Sequence, residues 1–266
     1  MFRLAFLLFV IDRAMKVYQE IWCHIREIVR IPYQCHSVVF YMMGKLNKKG
    51  VLPLYGKENV INLARLKDLV PEPLKAFHDF NVAVFQEGAL TVKEKEIIAV
   101  AIAHITLCPF CIDSHTRKAK SAGASLEELV EAVFVAAAVE AGGAVTHSTH
   151  IHNAKNADAL DHLYARSNLK NLSNLGKFAP DGFNGYSSFS AVVTKEGKLT
   201  EKFKEIIATA SGVASQCPYC IDVHAKKAIR LGATSEELAE AILVVSALRA
   251  GSSYAHMANM IQSYQD

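Results

Sequence analysis

The stretch Cys108–His115 reads CPFCIDSH, and the stretch Cys217–His224 reads CPYCIDVH, so one chain carries the same eight-residue pattern twice. From position 108 to position 217 the shift is 109 residues. Each copy places two residues between its cysteines and a histidine four positions after the second cysteine. Cysteines and a histidine repeated at this fixed spacing predict that the chain holds two copies of one domain.

The repeat extends on both sides of this pattern without a gap. EGALT at Glu87–Thr91 matches EGKLT at Glu196–Thr200. Further matches pair Glu96 with Glu205, Gly123 with Gly232, Gly142 with Gly251, and His147 with His256. Agreement along one constant shift indicates a tandem duplication.

The chain of 266 residues is long enough for two domains of ordinary size. We expect an N-terminal helical extension over residues 1–60, a first domain over 61–155 and a second over 170–266. Hydrophobic residues make up 51% and charged residues 21%, a balance typical of soluble globular proteins. The net charge of +3 is small and scattered, which argues against nucleic acid as a partner.

Six cysteines are too few for a disulfide-rich secreted scaffold of this length. Four of them form the two CxxC pairs, which in an intracellular protein are typical of redox or metal chemistry. We therefore expect a cytoplasmic protein. Two CxxC pairs that share one zinc ion are usually about 15–20 residues apart. Because residues 112–216 separate the pairs here, we expect no metal and no bound cofactor.

Capping signals place helices on both sides of the first CxxC pair. Thr91 with Glu94 fits a capping box at the start of one helix. Pro109 suits the first turn of the next helix, because proline is favoured at the first helical position. Cys108 then lies at the N-terminus of that second helix.

A third helix in each copy follows another capping box. Ser125 with Glu128 starts it in the first copy, and Thr234 with Glu237 starts it in the second. The apolar run that follows predicts a helix that stops near Gly142. Since no segment here alternates as a strand does, we predict an all-α fold of two tandem domains, each with its CxxC pair at a helix N-terminus.

On a helix, Cys108, Cys111 and His115 form one stripe, because they lie at positions i, i+3 and i+7. The helix N-terminus carries partial positive charge and unpaired N–H groups, which favour a thiolate over a thiol. The His115 imidazole can take the thiol proton, directly or through a water. The first cysteine can then close a disulfide with an oxidised second one. The same stripe occurs at Cys217, Cys220 and His224.

Two glutamates are further candidates, since Glu96 and Glu205 each precede a CxxC pair with eleven residues between. Along a straight helix, the glutamate would lie about 18 Å from the cysteine. It reaches the site only if the chain turns back near Leu107 and the two helices pack side by side. Its apolar neighbours indicate a buried face, where a carboxylate needs a partner, and His115 or His224 is the obvious one.

The pattern Glu-x11-Cys-x2-Cys-x3-His resembles the active-site motif of the AhpD-like alkylhydroperoxidases, within the carboxymuconolactone decarboxylase superfamily. The resemblance covers roughly Leu66–His147 and Leu175–His256, and both copies carry all four residues of the motif. It implies an all-helical domain that assembles as trimers or hexamers. With two domains per chain, three chains would reproduce a six-domain ring, so we expect a homotrimer.

The resemblance also implies a role for each residue of the motif. The second cysteine, Cys111 or Cys220, attacks the peroxide oxygen and becomes a sulfenic acid. The first cysteine, Cys108 or Cys217, then closes the disulfide. The implied proton relays are Glu96 with His115 and Glu205 with His224.

Four further residues are candidates for the substrate pocket. Some family members carry a histidine between the two cysteines, where this chain has Phe110 and Tyr219. This departure bears on peroxidase efficiency and leaves the dithiol chemistry in place. His147 and His256 recur at one repeat position near the end of the third helix. Capping or packing explains these histidines, and lining the pocket is the alternative.

The function implied by the resemblance is a thiol peroxidase that reduces small organic hydroperoxides to alcohols. Its electrons return from an external dithiol, either lipoamide-like or thioredoxin-like. Two alternatives stay open: a protein disulfide reductase or redox relay, and a non-enzymatic oligomeric redox sensor or scaffold. The decarboxylation that names the superfamily is not expected, since the members that perform it lack the CxxC pair.

The first residues of the chain have two features of their own. MFRLAFLLFVI at Met1–Ile11 is apolar but breaks at Asp12, short of the ~20 residues of a membrane-spanning helix. No small-residue cleavage site follows, which argues against a signal peptide. Apolar residues recur at helical spacing in Ala14–Arg30, and such an amphipathic helix favours a partner subunit over a membrane surface. A start assigned too far upstream of Met42 is a third explanation.

Two stretches give weak metal-binding patterns. HSTHIH contains His147, His150 and His152, but the second copy reads HMANMI at the same place. Cys23-His24 and Cys35-His36 form a second such pattern. We expect neither stretch to bind a metal.

Overall fold

This computed structural model describes residues 56–150 and 164–265, which are mostly helical and contain no strand. The predicted all-α fold is confirmed. In the first repeat, the 3₁₀ segment Lys57–Arg65 precedes α1 (Leu66–Leu69), α2 (Pro71–Val84), α3 (Val92–Ile105), α4 (Pro109–Ser121) and α5 (Leu126–His147). In the second, the 3₁₀ segment Arg166–Asn171 precedes α6 (Leu172–Phe178), α7 (Pro180–Val193), α8 (Glu201–Ala214), α9 (Pro218–Arg230) and α10 (Ser235–Gln265). The amphipathic stretch Ala14–Arg30 lies outside the described residues.

The predicted capping boxes start the helices. The Thr91 hydroxyl accepts the Glu94 N–H over 3.2 Å, and the Glu94 carboxylate accepts the Thr91 N–H over 2.8 Å. The same reciprocal bonds join Ser125 with Glu128 and Thr234 with Glu237. Each box satisfies two N–H groups that a helix start would otherwise leave unpaired.

The predicted end of the third helix near Gly142 is wrong. Helix α5 continues through Gly142 to His147, and α10 continues through Gly251 to Gln265. A Cβ added at Gly142 would lie 2.6 Å from the hydroxyl of Tyr186 on α7. The glycine therefore permits a close approach between two helices instead of ending one, at the cost in backbone entropy that glycine carries within a helix.

The two repeats share one hydrophobic core. Helix α5 packs on α3 of its own repeat and on α7 and α8 of the other. Helix α10 in turn packs on α8, α3 and α2. Buried side chains of α3 and α8, such as Ile98 and Ile207, belong to the same cluster. Neither repeat thus covers its apolar surface alone.

A glutamate from each third helix clamps the loop of the other repeat. Glu240 accepts the N–H groups of Ala89 and Leu90 over 2.9 and 2.8 Å and pairs with Lys95 over 3.0 Å. A Cβ added at Gly88 would collide with the Glu240 carboxylate, which explains the glycine of the repeated EGxLT. The mirror clamp joins Glu131 with Lys198, Leu199, Lys204 and Gly197.

Within the described ranges, α5 is the one helix long and apolar enough to cross a membrane by length and composition. A helix from a protein core meets the same criterion. In this fold α5 packs against α3, α7 and α8.

Candidate redox site

The first cysteine of each pair caps a helix with its sulfur. Cys108 is the N-cap residue of α4, with extended backbone angles of φ −97° and ψ 102°. Its Sγ accepts the N–H of Cys111 over 3.2 Å. Cys217 caps α9 in the same way and accepts the N–H of Cys220 over 3.2 Å. The partial positive charge of each helix N-terminus thus acts directly on one sulfur.

A strained turn precedes each CxxC pair. Leu107 and Gln216 are non-glycine residues in the left-handed region, with φ of 53° and 58°. Such a conformation costs about 1–3 kcal/mol per residue. The Cys108 N–H donates to the Ala103 carbonyl over 3.2 Å, so α3 ends and α4 begins within a few residues. Helices α3 and α4 then pack side by side, which is the arrangement that Glu96 needs to reach the site.

The glutamate and the histidine of the pattern meet in both repeats. His115 Nδ1 donates to Glu96 Oε2 over 2.7 Å, and His224 Nδ1 donates to Glu205 Oε2 over 2.6 Å. The glutamates are 3% and 1% exposed, so each carboxylate depends on this partner. Because Nδ1 carries the proton of this bond, Nε2 of each ring is left to accept or release another.

The two thiols of the first centre share one proton. The hydrogen bond from the Cys111 thiol lowers the pKa of Cys108 to about 6, against the opposing effect of burial. The pKa of Cys111 is raised in turn, because its thiol donates to Cys108 and because burial beside a thiolate disfavours a second negative charge. At neutral pH the reduced centre therefore rests with Cys108 as the thiolate and Cys111 as the thiol.

The second centre has the same distribution of charge. The hydrogen bond from Cys220 lowers the pKa of Cys217 to about 5, and the pKa of Cys220 is raised. In each pair the second cysteine is the more exposed, with 6% for Cys111 against 0% for Cys108, and 4% for Cys220 against 2% for Cys217. A small molecule entering either centre thus meets the second sulfur at least as readily as the first.

Each centre is completed by the third helix of the other repeat. The Thr146 hydroxyl of α5 lies 3.6 Å from Cys217 Sγ, and the neighbouring His147 helps to lower the pKa of Cys217. His256 of α10 has the same effect on Cys108. The repeat pattern singles out these two cross-repeat histidines, His147 and His256, but not the centre that each one serves.

The residues between the cysteines contact the cross-repeat histidines. Phe110 lies edge-on to His256 with ring centroids 6.1 Å apart, and Tyr219 lies edge-on to His147 at 6.0 Å. The Tyr219 hydroxyl accepts an N–H of Asn168 over 3.0 Å. Asn168 comes from the 3₁₀ segment before α6, far from the CxxC pair in sequence, and no motif pointed to it.

The two relays differ in the lysine beside them. Lys227 Nζ lies 3.6 Å from Glu205 Oε1. Its counterpart Lys118 lies over the ring of Phe85, 5.6 Å from the centroid, and this ring stacks on His115 at 5.3 Å. The second relay therefore includes a lysine, whereas in the first the lysine is drawn to an aromatic ring.

Among the described residues, no group of three or more histidine, cysteine or acidic side chains is arranged to hold a metal ion. The rings of His147 and His150 lie 5.6 Å apart. His152 lies outside the described residues, as do Cys23 and Cys35. The four cysteines of the two centres are free thiols.

The all-α fold and the two dithiol centres define a tandem-duplicated helical thiol protein. The carboxymuconolactone decarboxylase family matches it twice, over residues 71–154 and 180–262, which is more than half of its length. The chain belongs to this family. The two segments place one family domain on each CxxC centre.

Curated relatives match one part of the chain. "Uncharacterized protein 4 in cox locus" of Paracoccus denitrificans is 45% identical over 73 residues, which cover 27% of this chain and 66% of that protein. An uncharacterised protein of Cupriavidus necator is 32% identical over 65 residues, which cover 24% of this chain and 58% of that protein. The chain thus spans just under two thirds of the length of the first and somewhat less of the second.

A solved structure has the same fold. The crystal structure of a protein assigned as a gamma-carboxymuconolactone decarboxylase subunit from Burkholderia xenovorans matches with a TM-score of 0.55. The match covers 80% of this chain and 95% of that one, at 23% identity. At this identity the likeness shows the fold alone.

Proposed function

We propose that the protein is a thiol peroxidase that reduces organic hydroperoxides to alcohols at two CxxC centres per chain. The observation that carries the proposal is a buried cysteine pair whose first sulfur caps a helix, on the same helix as a histidine that is bonded to a buried glutamate, present in both repeats. A thiolate is the nucleophile of dithiol chemistry, and a histidine within the site can deliver a proton to the departing oxygen. The resemblance to AhpD-like enzymes assigns the same roles.

The first step forms a sulfur–oxygen bond. The proton of Cys111 passes to Cys108, and the Cys111 thiolate attacks the terminal oxygen of the hydroperoxide. The oxygen–oxygen bond breaks, and the alkoxide takes a proton from His115, whose Nδ1 stays bonded to Glu96. The products are a sulfenic acid on Cys111 and the alcohol. At the second centre the corresponding residues are Cys220, Cys217, His224 and Glu205.

The second step closes a disulfide. His115 takes the proton of Cys108, the Cys108 thiolate attacks the Cys111 sulfur, and the hydroxide leaves as water with that proton. The two sulfurs lose two electrons, and the peroxide gains two. Cys108 Sγ already accepts the Cys111 N–H over 3.2 Å, so the disulfide closes within the first turn of α4.

An external dithiol then returns the electrons. Attack of its thiolate on the disulfide regenerates the reduced pair through a mixed disulfide. We propose a lipoamide-like or thioredoxin-like reductant for this step. The cycle needs no bound cofactor, because both electrons are carried by the cysteines themselves.

A single turnover tests the proposal. Fully reduced protein is mixed with increasing amounts of cumene hydroperoxide, from limiting to excess, and alcohol formation and thiol loss are followed together. We expect two thiols to be lost per alcohol formed, with saturation at about two alcohols per chain, because each centre completes one two-electron step. Thiols that remain while the hydroperoxide persists would exclude the peroxidase.

Burial favours a peroxide over a protein disulfide as the substrate. The cysteines of both centres are 0–6% exposed, and thiol–disulfide exchange requires the attacking sulfur to reach its target. We therefore expect insulin to be reduced more slowly than a hydroperoxide, and the opposite order would favour the disulfide reductase. If the double variant C111S/C220S still reduced peroxide, the cysteines would not be the catalyst. The sensor or scaffold role would then be favoured.

We also propose that the protein acts as a homotrimer in the cytoplasm. Apolar side chains of α5 stay exposed, with 72% for Leu126, 45% for Val130 and 52% for Phe134. Together with Val100 and His104 of α3 they line a cavity of about 330 Å³. Exposed apolar surface of this kind is typical of a subunit contact. The free thiols suit a reducing compartment.

A further inference from the structure

Three phenylalanines of the first repeat are replaced, at the matching positions of the second repeat, by residues that carry a hydroxyl group. With the shift of 109 residues, Phe77 corresponds to Tyr186, Phe85 to Thr194, and Phe110 to Tyr219. The glutamate, the two cysteines and the histidine are the same in both copies. The two centres therefore differ in their walls and not in their reacting groups.

Two of the three phenylalanines contact histidines of the first centre. Phe85 stacks on the ring of His115 at 5.3 Å, and Phe110 lies edge-on to the cross-repeat histidine at 6.1 Å. Phe77 of α2 stacks on Tyr254 of α10, with ring centroids 4.6 Å apart. These rings give the first centre an aromatic wall on more than one side.

Two of the counterparts, Tyr186 and Tyr219, carry a hydroxyl group near the second centre, whereas the Thr194 hydroxyl donates to the Ser190 carbonyl over 3.1 Å. The Tyr186 hydroxyl approaches Gly142 in α5, where an added Cβ would lie 2.6 Å from it. Burial raises the pKa of Tyr186, and negative charge in the Cys217–Cys220 pair raises it further, so this hydroxyl lies within electrostatic range of that pair. Tyr219 is 2% exposed, and its hydroxyl is held by Asn168 over 3.0 Å.

Two other substitutions between the repeats offset each other. The hydroxyl of Ser252 acts on the first centre, and its counterpart in the first repeat is Gly143. The hydroxyl of Thr146 acts on the second centre, and its counterpart is Ala255. Each centre thus receives one hydroxyl from a third helix. Tyr254, which stacks on Phe77, has Val145 as its counterpart, so the difference in polarity rests on Phe85 and Phe110 against Thr194 and Tyr219.

The exchange of Phe85 for Thr194 is accompanied by a different position of the neighbouring lysine. At the second centre Lys227 approaches the buried carboxylate of Glu205 to 3.6 Å. At the first centre Lys118 lies over the Phe85 ring instead. The smaller side chain therefore goes with a more polar relay.

We propose that the two centres divide peroxides by polarity: the Cys108–Cys111 centre prefers hydroperoxides with an alkyl or aryl group, and the Cys217–Cys220 centre prefers hydrogen peroxide. This rests on the proposed peroxidase function. Aromatic walls gain free energy by covering an apolar substituent, whereas walls that carry hydroxyl groups suit a small polar peroxide better. In both centres the sulfur gains the terminal oxygen, the oxygen–oxygen bond breaks, and the product is an alcohol or water.

Single-centre variants of the full chain test the division. C217S with C220S leaves the first centre, and C108S with C111S leaves the second. Each reduced variant is mixed with cumene hydroperoxide and, separately, with hydrogen peroxide, and the first-turnover rate constants are measured. We expect the ratio of the cumene to the hydrogen peroxide rate constant to be about tenfold or more higher at the first centre, a discrimination that pocket polarity can supply.

Swaps of the wall residues within each variant assign the cause. F110Y and F85T in the first-centre variant should lower the ratio, and Y219F and T194F in the second-centre variant should raise it. F110Y and Y219F change one oxygen atom each, so they keep the test informative if the larger substitutions disturb folding. Far-ultraviolet circular dichroism of every variant checks the helical content.

The outcomes separate this inference from the proposed function. If the intact reduced protein consumes neither peroxide, the peroxidase function itself is excluded. If both peroxides are consumed but the two single-centre variants give the same ratio within about twofold, the function stands and the division by polarity is overturned. A ratio that is higher at the second centre overturns it as well.

Discussion

A buried thiol ordinarily keeps its proton, because burial disfavours the charged form. The pKa of Cys108 is lowered although the residue is fully buried. Its sulfur lies at a helix N-terminus and accepts two hydrogen bonds from Cys111, one from the thiol and one from the backbone N–H. The cross-repeat histidine adds a favourable charge. The position of one sulfur at the N-cap thus decides which cysteine carries the charge of the resting centre.

This arrangement predicts the pH dependence of each centre. The pKa of Cys108 is lowered from 9.0 to about 6, so its thiolate persists above that pH and is lost as the pH falls below it. For Cys217 the loss comes near pH 5. In the two single-centre variants, thiolate absorbance at 240 nm and the rate of alkylation by iodoacetamide should fall through these two values on acidification.

The unfolded chain serves as the control for this titration. In guanidinium the same thiols should titrate near about 8.5, because the helix N-terminus and the partner cysteine no longer act on them. A folded protein whose thiolate signal forms only above pH 8 would contradict the shared proton. The peroxidase rate should follow the same acid limb, since the thiolate of Cys108 or Cys217 must take the proton of the second cysteine before that cysteine can attack the peroxide.

At the scale of the helices, the sequence predicts those features that depend on residues close together in the chain, such as the helix starts. The boxes at Thr91 and Ser125 and the cap at Cys108 follow from residues within one turn, and all three were predicted. The turn near Leu107 is the one that Glu96 requires, and only its left-handed backbone carries no sequence signal. The continuation of α5 past Gly142 depends on a contact with Tyr186, which is distant in sequence. For the same reason, nothing in a repeat alignment could assign His147 to the centre of the other repeat.

Gly142 and Gly251 form a matched pair for testing this packing. A Cβ at Gly142 would lie 2.6 Å from the Tyr186 hydroxyl, whereas a Cβ at Gly251 would make an ordinary contact of 4.0 Å with Phe77. We expect G142A to lower the free energy of unfolding by about 1–2 kcal/mol through overpacking. G251A should raise it by about 0.5–1 kcal/mol, because alanine is the better helix former. Urea unfolding measures both.

A second substitution, at Tyr186, distinguishes a clash with the Tyr186 hydroxyl from a general effect of the alanine at position 142. Y186F removes the oxygen that the new Cβ would meet and leaves the ring, whose nearest atom would lie 3.6 Å away. G142A combined with Y186F should therefore be more stable than the sum of the two single changes implies. Strict additivity would show that the close approach of α5 and α7 is not what requires the glycine.

Over the whole of residues 56–150 and 164–265, the duplication yields an interlocked pair of repeats. Each third helix packs on the other repeat, supplies a histidine to its centre, and clamps its EGxLT loop with a glutamate. The sequence shows that two copies exist, but their reciprocal contacts arise only when both are folded together. We therefore expect the two centres to be lost in a single cooperative transition.

The clamp at Glu240 is the place to test that cooperativity. E240Q keeps the shape of the side chain but removes the charge opposite Lys95, whose side chain is only 4% exposed. A buried cation without its partner is costly, so we expect a loss of about 2 kcal/mol in the free energy of unfolding. The matched control is K75A, which breaks the exposed pair with Asp79 and should change stability by less than about 0.5 kcal/mol.

E240Q is made in each of the two single-centre variants and unfolded in urea. The readout is the reaction of the remaining thiols with a chromogenic disulfide. Because α10 carries Glu240 and also packs on α3 and α8, weakening its clamp should lower the midpoint for both centres equally and together with the loss of helical circular dichroism. The expectation of one cooperative transition would be contradicted if the thiols of the first centre became reactive at a clearly lower urea concentration than those of the second. In that case the repeats unfold separately, and their shared core would not be the main source of stability.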